Sequence, residues 1–293
     1  MKKKNVTWMI LVVLLFLTAI VLLLYPYIAN YIFEHRADSI VSTVESSGES
    51  LEDEQRQAAL EAAANYNSVI ATGHVQLTDP FIAEELQDDA GDYLSLLNMT
   101  EDGVMGTVEI PSIDVKLPIY HGTSDDVLER GVGHLQGTSL PIGGASTHAV
   151  LSGHSGLSNA KLFTDLEELT EGDLFFLHVM GEDLAYEVDQ IKVVLPTQLD
   201  DLSVVPGEDY CTLLTCTPYG VNSHRLLVRG HRVDYTEAVA SPQAEAAHTE
   251  SRWMSEYRGS LVLSLGTFIV LLFGLYVVRR IRGDRSRIVD DFC

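Results

Sequence analysis

The sequence predicts a mainly β fold, a single closed or nearly closed barrel, flanked by a membrane-spanning helix at each end of the chain. Three observations carry this. From Gly103 to Val233 the chain is a succession of short runs, among them GTVEIPSIDVKLPIYHG, THAVLSGH, YCTLLTC and HRLLVRGHRV. They alternate apolar with polar residues between Gly, Pro, Asp and Ser turns, the signature of strands. The segment is about 130 residues long with little helical periodicity, which suits one barrel. Finally, residues 6–24 and 259–278 are uncharged and mostly aliphatic.

The first apolar run, VTWMILVVLLFLTAIVLLL, follows Lys2-Lys3-Lys4 and is long enough to cross a hydrocarbon layer of roughly 30 Å as a helix. A signal peptide carries only ~7–15 apolar residues and a small-x-small cleavage site. No such site is evident here, so an uncleaved anchor over 6–27 is expected, behind a cytoplasmic stretch at 1–5. The second run, 259–278, is followed at once by Arg279-Arg280-Ile281-Arg282. Positive flanks mark cytoplasmic ends. Both termini, including the basic tail 279–293, are therefore expected inside and everything between the spans outside.

Between the spans, residues 28–70 include an Ala- and Glu-rich stretch with Leu51, Gln55, Ala58 and Ala62 on one helix face and Ser50 as its expected cap. It reads equally as a spacer or as a packed part of the domain. Residues 71–102 are polar, acidic and broken by Asp79-Pro80-Phe81, where proline forces a bent surface segment. The barrel is expected over 103–235, with one short helix near 158–169, and a polar linker over 236–258.

The formal net charge of −23 lies mainly in the outer segment. Such a domain repels phosphate and is a poor nucleic-acid binder. No phosphate-binding glycine loop, calcium loop or zinc-spaced Cys/His set is present, so no metal or cofactor is expected. Of three cysteines, Cys293 falls on the inner tail and only Cys211 and Cys216 lie outside. Five residues apart on an extended strand, those two are separated by roughly 16 Å, beyond the ~7 Å a disulfide tolerates. An unpaired exported thiol invites a functional explanation.

A cysteine nucleophile needs a proton carrier and a group that stabilises the developing oxyanion. His154 ends the run THAVLSGH beside a permissive Ser-Gly turn, and Arg225 opens the strand after the one that ends in Cys216. Two consecutive antiparallel strands would bring Cys216 and Arg225 together. Blander readings stand beside this one. A cysteine in an apolar strand is ordinarily small hydrophobic packing, and ten histidines include several that suit surface or hydrogen-bonded core positions. His224 adjoins Arg225 and so faces the other side of its strand, whereas Arg229 shares the parity of Arg225 and Arg232 is a further rival. The residues alone leave His154, Cys216 and Arg225 as one good set among a few.

The stretches EIPSIDVKLPIYHGTSDDVLERGVGHLQGTSLPIGGASTHAVLSGHSGL and TLLTCTPYGVNSHRLLVRGHRV resemble the sortase family, specifically its class C, pilin-polymerising branch. Thr212 to Cys216 match the TLxTC signature, His154 in SGHSG the catalytic histidine, and Arg225 in NSHRLLVRG the arginine. Asp79-Pro80-Phe81 match the lid motif, and the second span fits the same branch. The resemblance implies a sortase barrel of about eight strands and a cysteine transpeptidase on the outer membrane face of a Gram-positive bacterium. In it Cys216 would attack the Thr carbonyl of an LPXTG-like sorting signal, and His154 would carry the proton. Arg225 would stabilise the oxyanion with support from Thr215. Partners would be pilin subunits supplying the signal and an acceptor lysine. In the lid, Asp79 would pair with Arg225 and Phe81 would cover Cys216. A partly exposed ion pair of that kind is worth only ~0–1 kcal/mol, so a gate that substrate can open is expected.

Other readings are a housekeeping wall-anchoring sortase, a cysteine hydrolase and a non-catalytic assembly scaffold. Hydrolases of the papain type place Cys before His, the reverse of the order here. A serine hydrolase is excluded, because Gly153-His154-Ser155-Gly156 lacks the G-x-S-x-G spacing.

Overall fold

The computed structural model describes residues 2–73, 77–82, 92–100, 102–157, 159–242, 244, 258–259, 261–270, 272–274 and 277. The expected tail 279–293 with Cys293, most of the linker 236–258 and the lid positions 83–91 lie outside the described residues. Two compact units result, 1–249 and 250–293. In the second, the described residues of the run expected as a further span include an apolar helix over 261–274.

In the first unit, helix α1 runs without a break over Lys2–Ser50 and is followed by α2, Asp53–Thr72. The stretch Leu14–Gly48 of α1 is long and apolar enough to cross a membrane, and its residues Leu15, Val21 and Leu22 are exposed. Beyond the apolar run, Ala37, Val41 and Val44 repeat at helical spacing and are buried on the barrel. Ser50 is not a cap: it ends α1, and its hydroxyl donates to the Ser47 carbonyl at 2.9 Å. Glu52 occupies the start of α2 without a side-chain capping bond. Nor is α2 a spacer, because Ala63 is fully buried and Asn67 nearly so.

Eight strands close into a barrel: β1 (Val104–Ile110), β2 (Val115–His121), β3 (Val132–His134), β4 (Thr147–Ser152), β5 (Leu174–Val179), β6 (Glu182–Val194), β7 (Asp209–Thr217) and β8 (His224–Val233). The order around the wall is β1-β2-β3-β4-β7-β8-β6-β5, closing on β1. Two neighbouring pairs are parallel, β2 with β3 across the short helix α3 (Asp125–Arg130), and β4 with β7. The β5–β6 connection is a two-residue turn, Met180-Gly181, with φ of 54° and 77°. That is the backbone a tight hairpin demands. Gly181 also lies where the end of α1 passes: a Cβ on Gly48 would come within 2.9 Å of the Gly181 nitrogen.

The interior is filled by the inward residues of every strand together with Phe163, Phe175 and Tyr186, all fully buried. The last two stack with centroids 5.4 Å apart. The helix expected near 158–169 is instead a loop with one 3₁₀ turn, Thr164–Glu168. Leu162 is left-handed, with φ of 42°, and the Lys161 amide bonds to Asn30 Oδ1 in α1 at 2.8 Å. That donor is therefore not available to an α-helical ladder.

Asn67 ties α2 to the barrel by both ends of its amide. Its Oδ1 accepts from the Leu140 amide at 2.7 Å, and its Nδ2 donates to the Leu140 carbonyl at 3.1 Å. Alanine at 67 would strand two buried backbone groups. A loss of about 1–3 kcal/mol is expected, read as a lower urea midpoint with an unchanged slope.

Candidate active site

Cys216 lies one residue from the end of β7, and β8 runs back antiparallel so that Cys216 stands directly across from Arg225. Directly opposed residues on paired strands project to the same side. That side is the outer face of the barrel wall, where Leu214 and Leu227 join Leu135, Val150 and Leu202 in a cluster packed under Leu77, Phe81 and Leu199. The nucleophile candidate is therefore on the outside of the barrel but roofed over, and only 6% exposed.

The roof is the Asp79-Pro80-Phe81 segment. Asp79 Oδ1 accepts from the Phe81 amide at 3.3 Å and the Ile82 amide closes on the Asp79 carbonyl at 3.1 Å. Proline between them has no amide to satisfy and presets the bend. The same carboxylate takes Arg225 in a two-point grip, Nε to Oδ1 at 2.9 Å and Nη2 to Oδ2 at 2.5 Å. Arg225 Nη1 donates to the carbonyls of Asn222 and His224, at 3.1 and 2.9 Å. Both side chains of the pair are only 5% exposed, so the expectation of a partly exposed pair is corrected. In such burial the Coulombic gain is offset by desolvation of both ions. The Phe81 ring lies 5.1 Å from the Arg225 guanidinium and 5.5 Å from the His154 ring.

His154 arrives from β4. Because β4 runs parallel to β7 with Ser152 beside Leu214, the turn after β4 continues alongside Cys216. The Gly153 amide donates to the Leu214 carbonyl at 3.0 Å, and the Thr215 hydroxyl donates to the Gly153 carbonyl at 2.7 Å. Glycine is required at 153, where a Cβ would stand 2.7 Å from the buried Phe163 ring. The Phe163 amide in turn bonds to the His154 carbonyl at 3.1 Å.

The rivals are occupied elsewhere. Arg229 shares the parity of Arg225 but is paired with Asp189 through two bonds of 2.9 and 2.8 Å and lies over the Tyr210 ring. Arg232 lies over Tyr186. His224 is across from Thr217, on the other side of the strand, with Nδ1 at Ser223 Oγ. Cys211 and Cys216 are both free thiols, and Cys211 is sealed in the barrel interior.

Burial pushes the Cys216 thiol above its ordinary value; the Arg225 cation pulls it down and the Asp79 carboxylate adds to the rise. Burial pushes His154 below its ordinary value, against the carboxylates of Asp125 and Glu129. Both shifts favour the uncharged forms of the thiol and the imidazole under the roof.

The sortase-domain family profile matches residues 108–233, which include all three residues. Sortase C1 of Streptococcus agalactiae is similar at 45% identity, with a TM-score of 0.63 over 69% of this chain and 98% of that one. A sortase C-1 mutant from S. pneumoniae is 47% identical, with a TM-score of 0.63 over 67% of this chain and 98% of that one. The chain belongs to the sortase family, in its class C branch. Sortase C-1 of Actinomyces oris is 48% identical over 62% of this chain and 99% of that one, with a TM-score of 0.59. Sortase D of Bacillus subtilis is 34% identical over 44% of this chain and 63% of its own length. Sortase A of S. agalactiae is 31% identical over 39% and 47%. The chain thus spans about half to under two-thirds of the curated relatives it matches.

A cleft of about 590 Å³ opens behind the roof between Leu77, Asp79 and Ile82 on one side and Pro196, Leu199 and Ser203 on the other. Polar composition in both segments hid it.

Replacing Asp79 by Ala removes one influence that raises the Cys216 pKa and loosens the burial that supplies the other, while Arg225 remains. The pH midpoint for alkylation of Cys216 by a neutral reagent should therefore move down. An unmoved or higher midpoint would contradict this electrostatic reading.

Proposed function

We propose that the chain is a membrane-anchored transpeptidase that cleaves an LPXTG-like sorting signal and joins it to a lysine amine of a second pilin subunit. The observation that carries this reading is the register of β7 and β8, which sets Arg225 beside Cys216 under a roof whose carboxylate holds that same arginine.

Displacement of Asp79 frees the guanidinium. Cys216 Sγ attacks the Thr carbonyl of the signal as its proton passes to His154, and Arg225 stabilises the oxyanion. Collapse breaks the Thr–Gly bond; His154 returns the proton to the leaving amine and a thioester remains. The lysine Nζ then attacks the thioester carbonyl and His154 takes its proton. The Cys216 sulfur leaves and is reprotonated, completing an isopeptide bond. Thr215 serves by holding the Gly153-His154 turn: its one hydroxyl proton is given to Gly153 and faces away from Cys216, so the oxyanion is left to Arg225. The cleft behind the roof, of about 590 Å³, is proposed to receive the signal.

The upward push on the Cys216 pKa and the buried roof support a gate: substrate binding that exposes Arg225 also lowers the cost of ionising the thiol. The apolar length of α1 supports anchoring, with the barrel outside a Gram-positive plasma membrane and the termini within. The run 259–278 is proposed as the second span.

Incubation with a signal-bearing subunit and a lysine-bearing acceptor should give a Lys–Thr isopeptide by mass spectrometry. The Cys216→Ala variant should give none. A linkage formed equally by that variant, or only a hydrolysed signal with no linkage, would refute transpeptidation by Cys216.

A further inference from the structure

The loop that carries His154 is attached to the nucleophile's own strand at a second point that the reaction does not explain. Along the inward face of β7 the residues read Cys211, Leu213, Thr215 and Thr217. The first two are apolar and belong to the barrel core. The last two are hydroxyls, and the change falls where β7 passes the loop between β4 and β5. Thr215 donates to Gly153 at the start of that loop, and Thr217 donates to Glu167 Oε1 near its end. Cys216 is between them in sequence and points the other way.

Between those two attachments the loop folds on itself. The Gly156 amide donates to Thr164 Oγ1 at 3.1 Å, and the Phe163 amide bonds to the His154 carbonyl. Thr164 and Glu167 share one 3₁₀ turn. A pull on Glu167 is therefore carried through Thr164 and Phe163 to the backbone of His154. Thr217 is buried whereas Glu167 is exposed. An exposed carboxylate would be hydrated equally well without the threonine, so folding alone gives little reason for the pair.

We propose that Thr217 and Glu167 are positioning residues that, with Thr215, fix His154 at the distance from Cys216 that proton transfer requires. Neither touches the reacting atoms; both act through the loop. The proposal rests on the transpeptidase reading and deepens it, since it assigns a role to the strand segment on either side of the nucleophile. Small displacements of a proton carrier cost rate steeply, so the effect belongs in the chemical step and not in substrate binding.

The test uses the full chain, a sorting-signal peptide and two replacements at one position. Thr217→Val keeps the shape and removes the hydroxyl; Thr217→Ser keeps the hydroxyl. Thr217→Val should lower kcat for peptide cleavage about tenfold, equivalent to ~1.4 kcal/mol of barrier, with KM within about twofold. Thr217→Ser should recover most of that loss. Glu167→Ala should match Thr217→Val, and the double variant should be no worse than either, as expected for two ends of one interaction. Alkylation of Cys216 by a neutral reagent, which needs no proton carrier, should stay within about twofold of the parent throughout. An unchanged kcat in Thr217→Val, a serine no better than valine, additive losses, or alkylation falling in step with cleavage would each overturn the proposal. A parent chain whose Cys216 alkylates but which cleaves no peptide would instead refute the transpeptidase reading.

Discussion

A guanidinium held in two places organises the outer face of this barrel. The β7–β8 register sets Arg225 beside Cys216, and the two-point bond to Asp79 brings the roof down over both. From that bond follow the placing of Phe81 between Arg225 and His154, the burial of the thiol and the upward push on its pKa. The pair is not a clamp of large net strength. Were the roof to lift, both ions would regain water, so the free energy of opening would be a difference between Coulombic attraction and hydration. A ligand that offers Arg225 better partners than Asp79 can shift that balance, provided it has no comparable affinity for the closed state.

The second organising element is β7 itself. Its outward face presents Cys216 and its inward face holds the loop that carries His154, the proposed nucleophile and proton carrier. Cys216 and the loop of His154 come from segments far apart in sequence, yet both residues adjacent to Cys216 are hydrogen-bonded to that loop. Helix α1 joins the same arrangement, because Asn30 accepts from the Lys161 amide in the His154 loop. The helix that bears the apolar run and the loop that carries His154 are thus one hydrogen bond apart.

Much of this was legible in the sequence, and for identifiable reasons. Alternation of apolar and polar residues marked the strands, and the short Pro-Tyr-Gly turn implied that the strands of Cys216 and Arg225 are neighbours. The choice of Arg225 over Arg229 came from family resemblance; the register adds that Arg225 stands across from Cys216 whereas Arg229 stands across from Thr212. Alternation does not reveal parallel pairing, so the placing of His154 beside β7 could not be read directly. Composition also misled in three places. The polar segment around Asp79 buries its carboxylate against Arg225. Ser50 is the last residue of α1 and not the cap of α2, and the helix expected near 158–169 yields to a left-handed Leu162 and a bond to Asn30.

The account turns on whether Asp79 and substrate compete for Arg225. Hydrogen exchange at the amides of Phe81 and Ile82, both bonded to Asp79 in the closed site, reports this directly when a sorting-signal peptide is added to the Cys216→Ala chain. Faster exchange at both amides with saturating peptide is the predicted result. Unchanged or slower exchange, with binding of the peptide verified independently, would contradict the account.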